Sequence, residues 1–411
     1  MTGLVGGLFR AALSAADHLR LTVEQWARDE PNLRWLVPVL LSAVAVALAR
    51  LTVRWVPQAS GSGVQRVEAT MRSEVPPVGF LVVPAKFVGG VLGIGAGLAL
   101  GREGPTVQMG AAIGVRLARF ARVDGHDLRT MAASLAGAGL GVAFSAPLGG
   151  AAFVFEEVSR AFRTRLVVVT LLGCGSALAV AQLIVGRQPV FDVPPLEPQG
   201  ILLLPAFVLL GALLGVVGVL YNRLIVLLLD LFERIRRIPP EVSAGVVGAA
   251  VGLLGVVAPS LIGGGDQLNE ELLIAGVGLS TLFLAVLVRL LLGPLSYSLG
   301  TPGGLFAPLL LLGALIGALF ARLANELVPS LELSVTAFAI VGMSTFFASV
   351  VRAPVTGVIL IVEMTATTSQ LAPMILAAGT AVLVATLMKG APIYDTLRDR
   401  LLNRRAAVAA N

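Results

Sequence analysis

Ala146–Glu156 reads APLGGAAFVFE, and Ala353–Glu363 reads APVTGVILIVE. Ala, Pro, the Gly three residues after Pro and the Glu nine after Pro all recur at an offset of 207. A second set runs in the same order, with Gly101, Pro105, Gly110, Ile113 and Gly114 matching Gly304, Pro308, Gly313, Ile316 and Gly317 at an offset of 203. Two nearly equal offsets indicate a duplication, with halves from 35 to 190 and from 200 to 390. Duplicated halves of membrane transporters pack as inverted repeats. Their substrate sites form at the repeat interface, where broken helices aim their N-termini at an anion.

Composition sets the solvent. The 411 residues are 56% hydrophobic and 13% charged, against about 25% charged in soluble domains, and the mean hydropathy is +0.91. This is an integral membrane chain. Apolar stretches recur, among them Trp35–Val53, Gly79–Leu100, Met131–Phe155, Leu166–Val185, Ile201–Leu229, Val242–Ile262, Leu272–Leu292 and Leu305–Ala321. A straight crossing takes about 20 residues, so ten or more crossings or re-entrant pieces fit between 35 and 396. Residues 1–34, which mix charged and apolar positions, read as a cytoplasmic amphipathic helix, and 397–411 as a short cytoplasmic tail. The net charge of +6 is spread over short loops and termini. Positive-inside topology explains that better than nucleic acid does, and it puts both termini in the cytoplasm. Cys174, the only cysteine, reads as a small buried residue, so no disulfide framework exists.

Three breaks interrupt the apolar runs with turn chemistry: Ser60–Gly63 (SGSG), Gly101–Pro105 (GREGP) and Gly300–Pro308 (GTPGGLFAP). Each precedes a helix-compatible run. Each therefore exposes backbone N–H groups at a helix start that carries about half a positive charge. Such starts suit anions, and no ring of carboxylates suits a metal cation. Glu103 stands inside the second break, and Lys86 is the only ionisable residue from Phe80 to Leu100. Ionisable groups at bilayer depth read as functional. His18 and His126 are the only histidines and no metal-ligand spacing is present, so an intramembrane enzyme is disfavoured and no cofactor or metal is expected. Gly93, Gly95 and Gly97 read as close helix packing rather than a dinucleotide fingerprint.

At this point the motifs resemble one family: the CLC chloride channels and chloride/proton antiporters. The resemblance rests on GSGVQ (Gly61–Gln65), PAKF (Pro84–Phe87), GREGPTVQMG (Gly101–Gly110), FSAPLGGAAFVFEE (Phe144–Glu157), GGLFAP (Gly303–Pro308), RAPVTGVILIVEMT (Arg352–Thr365) and PIY (Pro392–Tyr394). It implies an all-α inverted-repeat fold of many tilted and re-entrant helices, and a homodimer with one anion pathway per subunit. Ser62 and Tyr394 match the hydroxyl donors to a central chloride, the amides of Leu305 and Phe306 complete that site, and Gly104 also binds the anion, with Gly61 and Gly63 in support. Neutral donors bind an anion weakly enough to release it. Glu103 matches the gating glutamate, which competes with the anion when ionised and swings away when protonated. Glu157 matches the glutamate that accepts protons from the cytoplasm in antiporters and is typically missing in channels. Glu156 and Glu363, repeat partners, read as a structural pair of buried acids. Arg102 is expected along the pathway wall, and Lys86 as a fixed positive potential.

Gln65 and Arg66 depart from the family's usual proline and acid, which leaves the geometry of that helix start open. Ser62 implies chloride over nitrate or fluoride. No regulatory nucleotide-binding domain is expected after residue 411. The reading is a chloride/proton antiporter, with a passive channel of the same fold as the alternative that Glu157 disfavours.

Overall fold

The computed structural model describes residues 1–29, 32–187, 189–191, 193–234, 238–274 and 278–410. Positions 275–277 of the stretch Leu272–Leu292, Glu30 and Pro31 of the N-terminal segment, and Asn411 of the tail lie outside the described residues. The first half holds α1 (Thr2–Arg28), α2 (Leu36–Trp55), α3 (Val64–Met71), α4 (Val82–Gly95), α5 (Glu103–Phe120), α6 (Gly125–Phe144), α7 (Pro147–Phe153) and α8 (Thr164–Val185). The second holds α9 (Leu204–Arg234), α10 (Pro240–Val257), α11 (Asp266–Ile274), α12 (Leu279–Ser298), α13 (Phe306–Leu327), α14 (Val335–Val351), α15 (Pro354–Thr365) and α16 (Leu371–Leu387). A last helix, α17 (Ile393–Ala410), follows. Among the described residues six helices are long and apolar enough to cross a membrane, and four shorter ones are also apolar. The chain is a multi-pass membrane protein.

The halves are related as an inverted pair. Gly101 N donates to Gly304 O at 2.9 Å and Gly304 N donates to Gly101 O at 2.8 Å, an isolated antiparallel bridge. These two glycines are repeat counterparts. Equivalent residues that meet head to tail require a two-fold axis between the halves. The same axis relates the glutamates. Glu363 accepts from Leu148 N at 3.1 Å and Gly149 N at 2.7 Å, while Glu156 accepts from Val355 N at 3.1 Å and Thr356 N at 2.7 Å. Each caps the first turn of the other half's helix. Pro147 and Pro354 open those turns, where a missing N–H costs nothing. The two acids, expected as a buried structural pair, thus cap each other's half, and both are half-buried rather than buried.

Gly110 and Gly114 of α5 lie under the backbone of α6 at Leu135 and Met131, and Gly313 and Gly317 of α13 lie under α14 at Gly342 and Phe338. A Cβ at any of the four would overlap backbone, so these repeated glycines let the helices approach closely. The paired helices α5–α6 and α13–α14 form the centre. Helix α14 is buried on every face from Ala337 to Val351, as expected of a helix that is apolar all round.

The N-terminal segment corrects one expectation. Residues 1–34 do not form a separate peripheral helix, because α1 packs on α8 as α9 packs on α16. The first half therefore begins at α1, not near residue 35. Gly3 and Gly7 lie against Ala177 and Ala181, Gly6 lies against Val142, and the buried ring of Phe9 meets Phe87 with centroids 5.4 Å apart. Of the charges that gave the amphipathic reading, Arg20 pairs with Asp17 at 3.2 Å and with Glu24 at 3.3 Å within the helix, and Arg10 donates to Val142 O and Ser145 Oγ of the neighbouring segment.

Candidate functional site

Four helix starts converge where the sequence breaks fall: those of α3, α5, α13 and α17. Gly61 and Gly63 take φ values of +61° and +86°, which a side chain rarely adopts, so the turn before α3 needs glycine on both sides of Ser62. That turn is tied to the second half. Gly61 N donates to Gly300 O at 3.4 Å and Gly303 N donates to Gly61 O at 3.2 Å. Gly104 sits against Ser62 and Gly304, with no room for a Cβ.

Glu103 is fully buried in this junction. Its Oε1 accepts from the amide of Phe306 at 2.7 Å, and its carboxylate lies against Gly101 and Gly304, where a Cβ would overlap it. A carboxylate thus occupies one of the helix-start amides expected to hold an anion. Ser62 Oγ and Tyr394 OH are buried nearby, and the two hydroxyls face each other. The Tyr394 ring packs on Phe306 with centroids 6.1 Å apart. Leu305 precedes Phe306 and is fully buried. Glu103, Gly104, Ser62, Leu305, Phe306 and Tyr394 are therefore gathered at one place.

Lys86 acquires specific partners. Fully buried, it donates to the carbonyls of Gly61 and to Ser62 O at 3.1 Å. No carboxylate pairs with it among the described residues. Held by these two carbonyls, the Lys86 side chain clamps the turn that carries Ser62. Arg102 Nε donates to Ala143 O at 2.9 Å.

Sequence reasoning missed Arg289, although it is the counterpart of Lys86 at the 203 offset. Only 2% exposed, it donates to Gly263 O at 2.6 Å and Ile262 O at 2.8 Å. It holds the turn before α11 as Lys86 holds the turn before α3. The loop it holds lines a cavity of about 350 Å³ that reaches Gly101, Arg102 and Ala307. A second cavity, of about 160 Å³, reaches Gly61, Gly63, Gln65, Arg66, Tyr297 and Gly300. Because the two loops are counterparts in inverted halves, these cavities lead from the buried junction toward opposite faces.

Glu157 lies elsewhere, at the end of α7. There Val154–Val158 form a π turn, and Ser159 N donates to Val154 O at 2.9 Å. The widened turn directs Glu156 to the start of α15 while Glu157 faces Arg160, whose Nη2 is 3.6 Å from Glu157 Oε2. Such π turns recur at functional sites. Glu157 stands outside the spanning helices. Burial, then the nearby Glu68 carboxylate, push its pKa up to about 8, against the pull of Arg160. Between Glu157 and Glu103 lies an aromatic layer. Phe153, one turn before Glu157, meets Phe306 edge-on with centroids 5.5 Å apart, and Phe144 and Phe347 also pack on Phe306.

The sequence model described as voltage gated chloride channel matches residues 44–386. The chain belongs to the CLC family. Among CLC proteins it is 37% identical over 412 residues to the H(+)/Cl(-) exchange transporter ClcA of Vibrio parahaemolyticus, covering 98% of this chain and 88% of that one. It is likewise 37% identical over 415 residues to ClcA of Vibrio cholerae, with the same coverages. The structure of a slow cyanobacterial Cl-/H+ antiporter superposes with a TM-score of 0.94 at 33% identity, covering 98% of this chain and 96% of that one. The fold is thus the all-α inverted-repeat CLC fold.

Proposed function

We propose that this CLC protein is a chloride/proton antiporter rather than a passive channel. One observation carries the reading: a titratable carboxylate, Glu103, is seated on the Phe306 amide beside Ser62. Ionised, it competes with chloride for that amide, and protonated it yields, so one position serves both ions. The relatives' exchange activity supports this assignment. Ser62, Tyr394 and the amides of Leu305 and Phe306 ligate the central chloride, Lys86 supplies the favourable potential, and Glu157 takes protons at the opposite mouth. Water must bridge the aromatic layer between the two glutamates. The protein sits in the cell inner membrane, with α17 and its Arg398, Arg400, Arg404 and Arg405 on the cytoplasmic side. It assembles as a homodimer through α7, α8, α15 and α16, whose exposed Leu148, Val168, Val355 and Ile375 are paired by the repeat.

Purified protein in liposomes tests the reading when a chloride gradient is imposed and internal pH is recorded. Uphill proton movement is expected; chloride flux without protons at any pH would return the channel. The sign of the pH dependence follows from Glu157. Its neutral form predominates below about pH 8 and is lost above it, so proton flux from that face falls as pH rises through about 8. Replacing Glu157 with Gln is expected to remove proton flux and leave chloride flux, and retained coupling would exclude it as the proton acceptor.

Ser62→Pro removes the hydroxyl donor and the backbone N–H together. Chloride is then expected to lose about tenfold in preference relative to nitrate, which corresponds to about 1.4 kcal/mol. Bi-ionic reversal potentials that do not move would exclude Ser62 as a ligand.

A further inference from the structure

Glu157 belongs to a larger cluster that the transport reading does not use. Arg160 Nη2 is 3.0 Å from both carboxylate oxygens of Asp395, 3.6 Å from Glu157 Oε2 and 3.7 Å from Glu68 Oε1. One guanidinium nitrogen thus faces three carboxylates from three elements: α3, the π turn and α17. The remaining charges are placed around it. Arg72 on α3 pairs with Glu68 at 2.7 Å, and Arg398 on α17 pairs with Glu68 at 2.8 Å and with Asp395 at 2.9 Å. Asp399 and Glu74 meet Arg398 from the outside, at 3.2 Å and 3.6 Å, and Glu156 adds a smaller repulsion to Glu157. Glu68 is itself fully buried.

The connections matter more than the count. Asp395 directly follows Tyr394 in the first turn of α17, and Glu68 lies in the helix that opens just after Ser62. The Arg160–Asp395 pair, in which Nη2 meets both carboxylate oxygens, therefore links the turn that carries Glu157 to the turn that carries Tyr394. A guanidinium suits that role, since it stays charged and its several N–H donors can serve more than one carboxylate. When Glu157 is ionised, Arg160 is shared among three carboxylates. When Glu157 takes a proton, that share passes to Asp395 and Glu68.

We propose that Arg160 is a positioning residue that clasps Glu157 to the Tyr394-bearing turn of α17, so that proton loading at one mouth and ligation of the central anion are held in register. The proposal rests on the reading of Glu157 as a proton acceptor and Tyr394 as an anion ligand. Arg160 and Asp395 touch neither ion, yet they pull Glu157 in opposite directions. Arg160 favours its ionised form, and Asp395 disfavours it.

That opposition makes the test. Proton flux is measured in liposomes against the pH of the Glu157 face for the wild type, Arg160→Gln, Arg160→Lys and Asp395→Asn. Arg160→Gln is expected to move the midpoint up by about one pH unit, and Asp395→Asn to move it down by a smaller amount, because an opposite charge within 4–6 Å shifts a carboxyl by about one unit or more. Arg160→Lys, which keeps the charge, is expected to stay near the wild-type midpoint. The ratio of chloride to proton flux is expected to rise at least about twofold in Arg160→Gln as the α17 turn loosens. A purely structural contact would lower both fluxes together. Midpoints that stay fixed, or that move in the same direction in Arg160→Gln and Asp395→Asn, would overturn the proposal. Glu157→Gln, run alongside, separates the two levels: coupling lost there with unmoved midpoints in the Arg160 and Asp395 variants rejects the clasp alone, and coupling retained there rejects the role of Glu157 as well.

Discussion

Replacing Glu103 with Gln stops proton movement while chloride continues to flow, by expectation from the junction at Phe306. Glutamine has the shape of a protonated glutamate, and its Oε1 still reaches the Phe306 amide that Glu103 occupies at 2.7 Å. What it lacks is a proton to give or take. The carboxylate competes for that amide as an anion competes, through charge, whereas a neutral carboxamide makes only a weaker neutral bond. Chloride therefore gains access at every pH. Proton flux is expected to drop at least about a hundredfold, which corresponds to about 2.7 kcal/mol in effective barrier, and chloride flux is expected to stay within an order of magnitude of the wild type. The same liposomes supply a control. If Glu103→Gln still drives protons uphill on a chloride gradient, a different carboxylate performs the exchange and the junction at Phe306 is only a structural cap.

Much of this junction was legible because it is local. The glycines at 61, 63, 101 and 304 stand beside the residues they serve, and turn chemistry is written in adjacent letters. The repeat was legible from the constant offset between matched motifs, whereas the antiparallel meeting of its counterparts Gly101 and Gly304 is seen only in the fold. Arg289 was within reach and was passed over: it is the only charged residue from Leu279 to Leu305, and adding the repeat offset to Lys86 names it. The N-terminal helix misled because its charges suggested a wet face. Pairing of Asp17, Arg20 and Glu24 with one another cancels much of that signal, while Gly3, Gly6 and Gly7 form the packing stripe. The clasp of Arg160 was not legible at all. Glu68, Glu157 and Asp395 come from three distant segments, and only the folded chain shows that the Arg160 guanidinium meets all three. The aromatic layer around Phe306 has the same character, since Phe144, Phe153, Phe347 and Tyr394 carry no shared period.

Removing the carboxylate of Glu156 or Glu363 is expected to cause a large loss of stability, with little effect on ion coupling. Each carboxylate takes two amides of the opposite half's helix start, at 3.1 Å and 2.7 Å in both halves. A hydrogen bond to a charged group contributes about 1.5–3 kcal/mol, and in a bilayer no water replaces a lost acceptor. Glu363→Ala is therefore expected to cost about 3–5 kcal/mol. Glu156→Ala is expected to cost somewhat more, because Thr356 Oγ1 donates to Glu156 as well, at 2.7 Å. Both caps join α7 to α15, so the second removal acts on a junction already released and the double variant falls short of additive. Unfolding of membrane proteins is commonly irreversible, so the measurement is the half-life of chloride flux after heating the purified protein, in single and double variants. The flux ratio of chloride to protons in unheated Glu363→Ala separates stability from mechanism. An unchanged half-life in both single variants would mean that the reciprocal caps do not hold the halves together, and a changed flux ratio in Glu363→Ala would mean that this pair also takes part in transport.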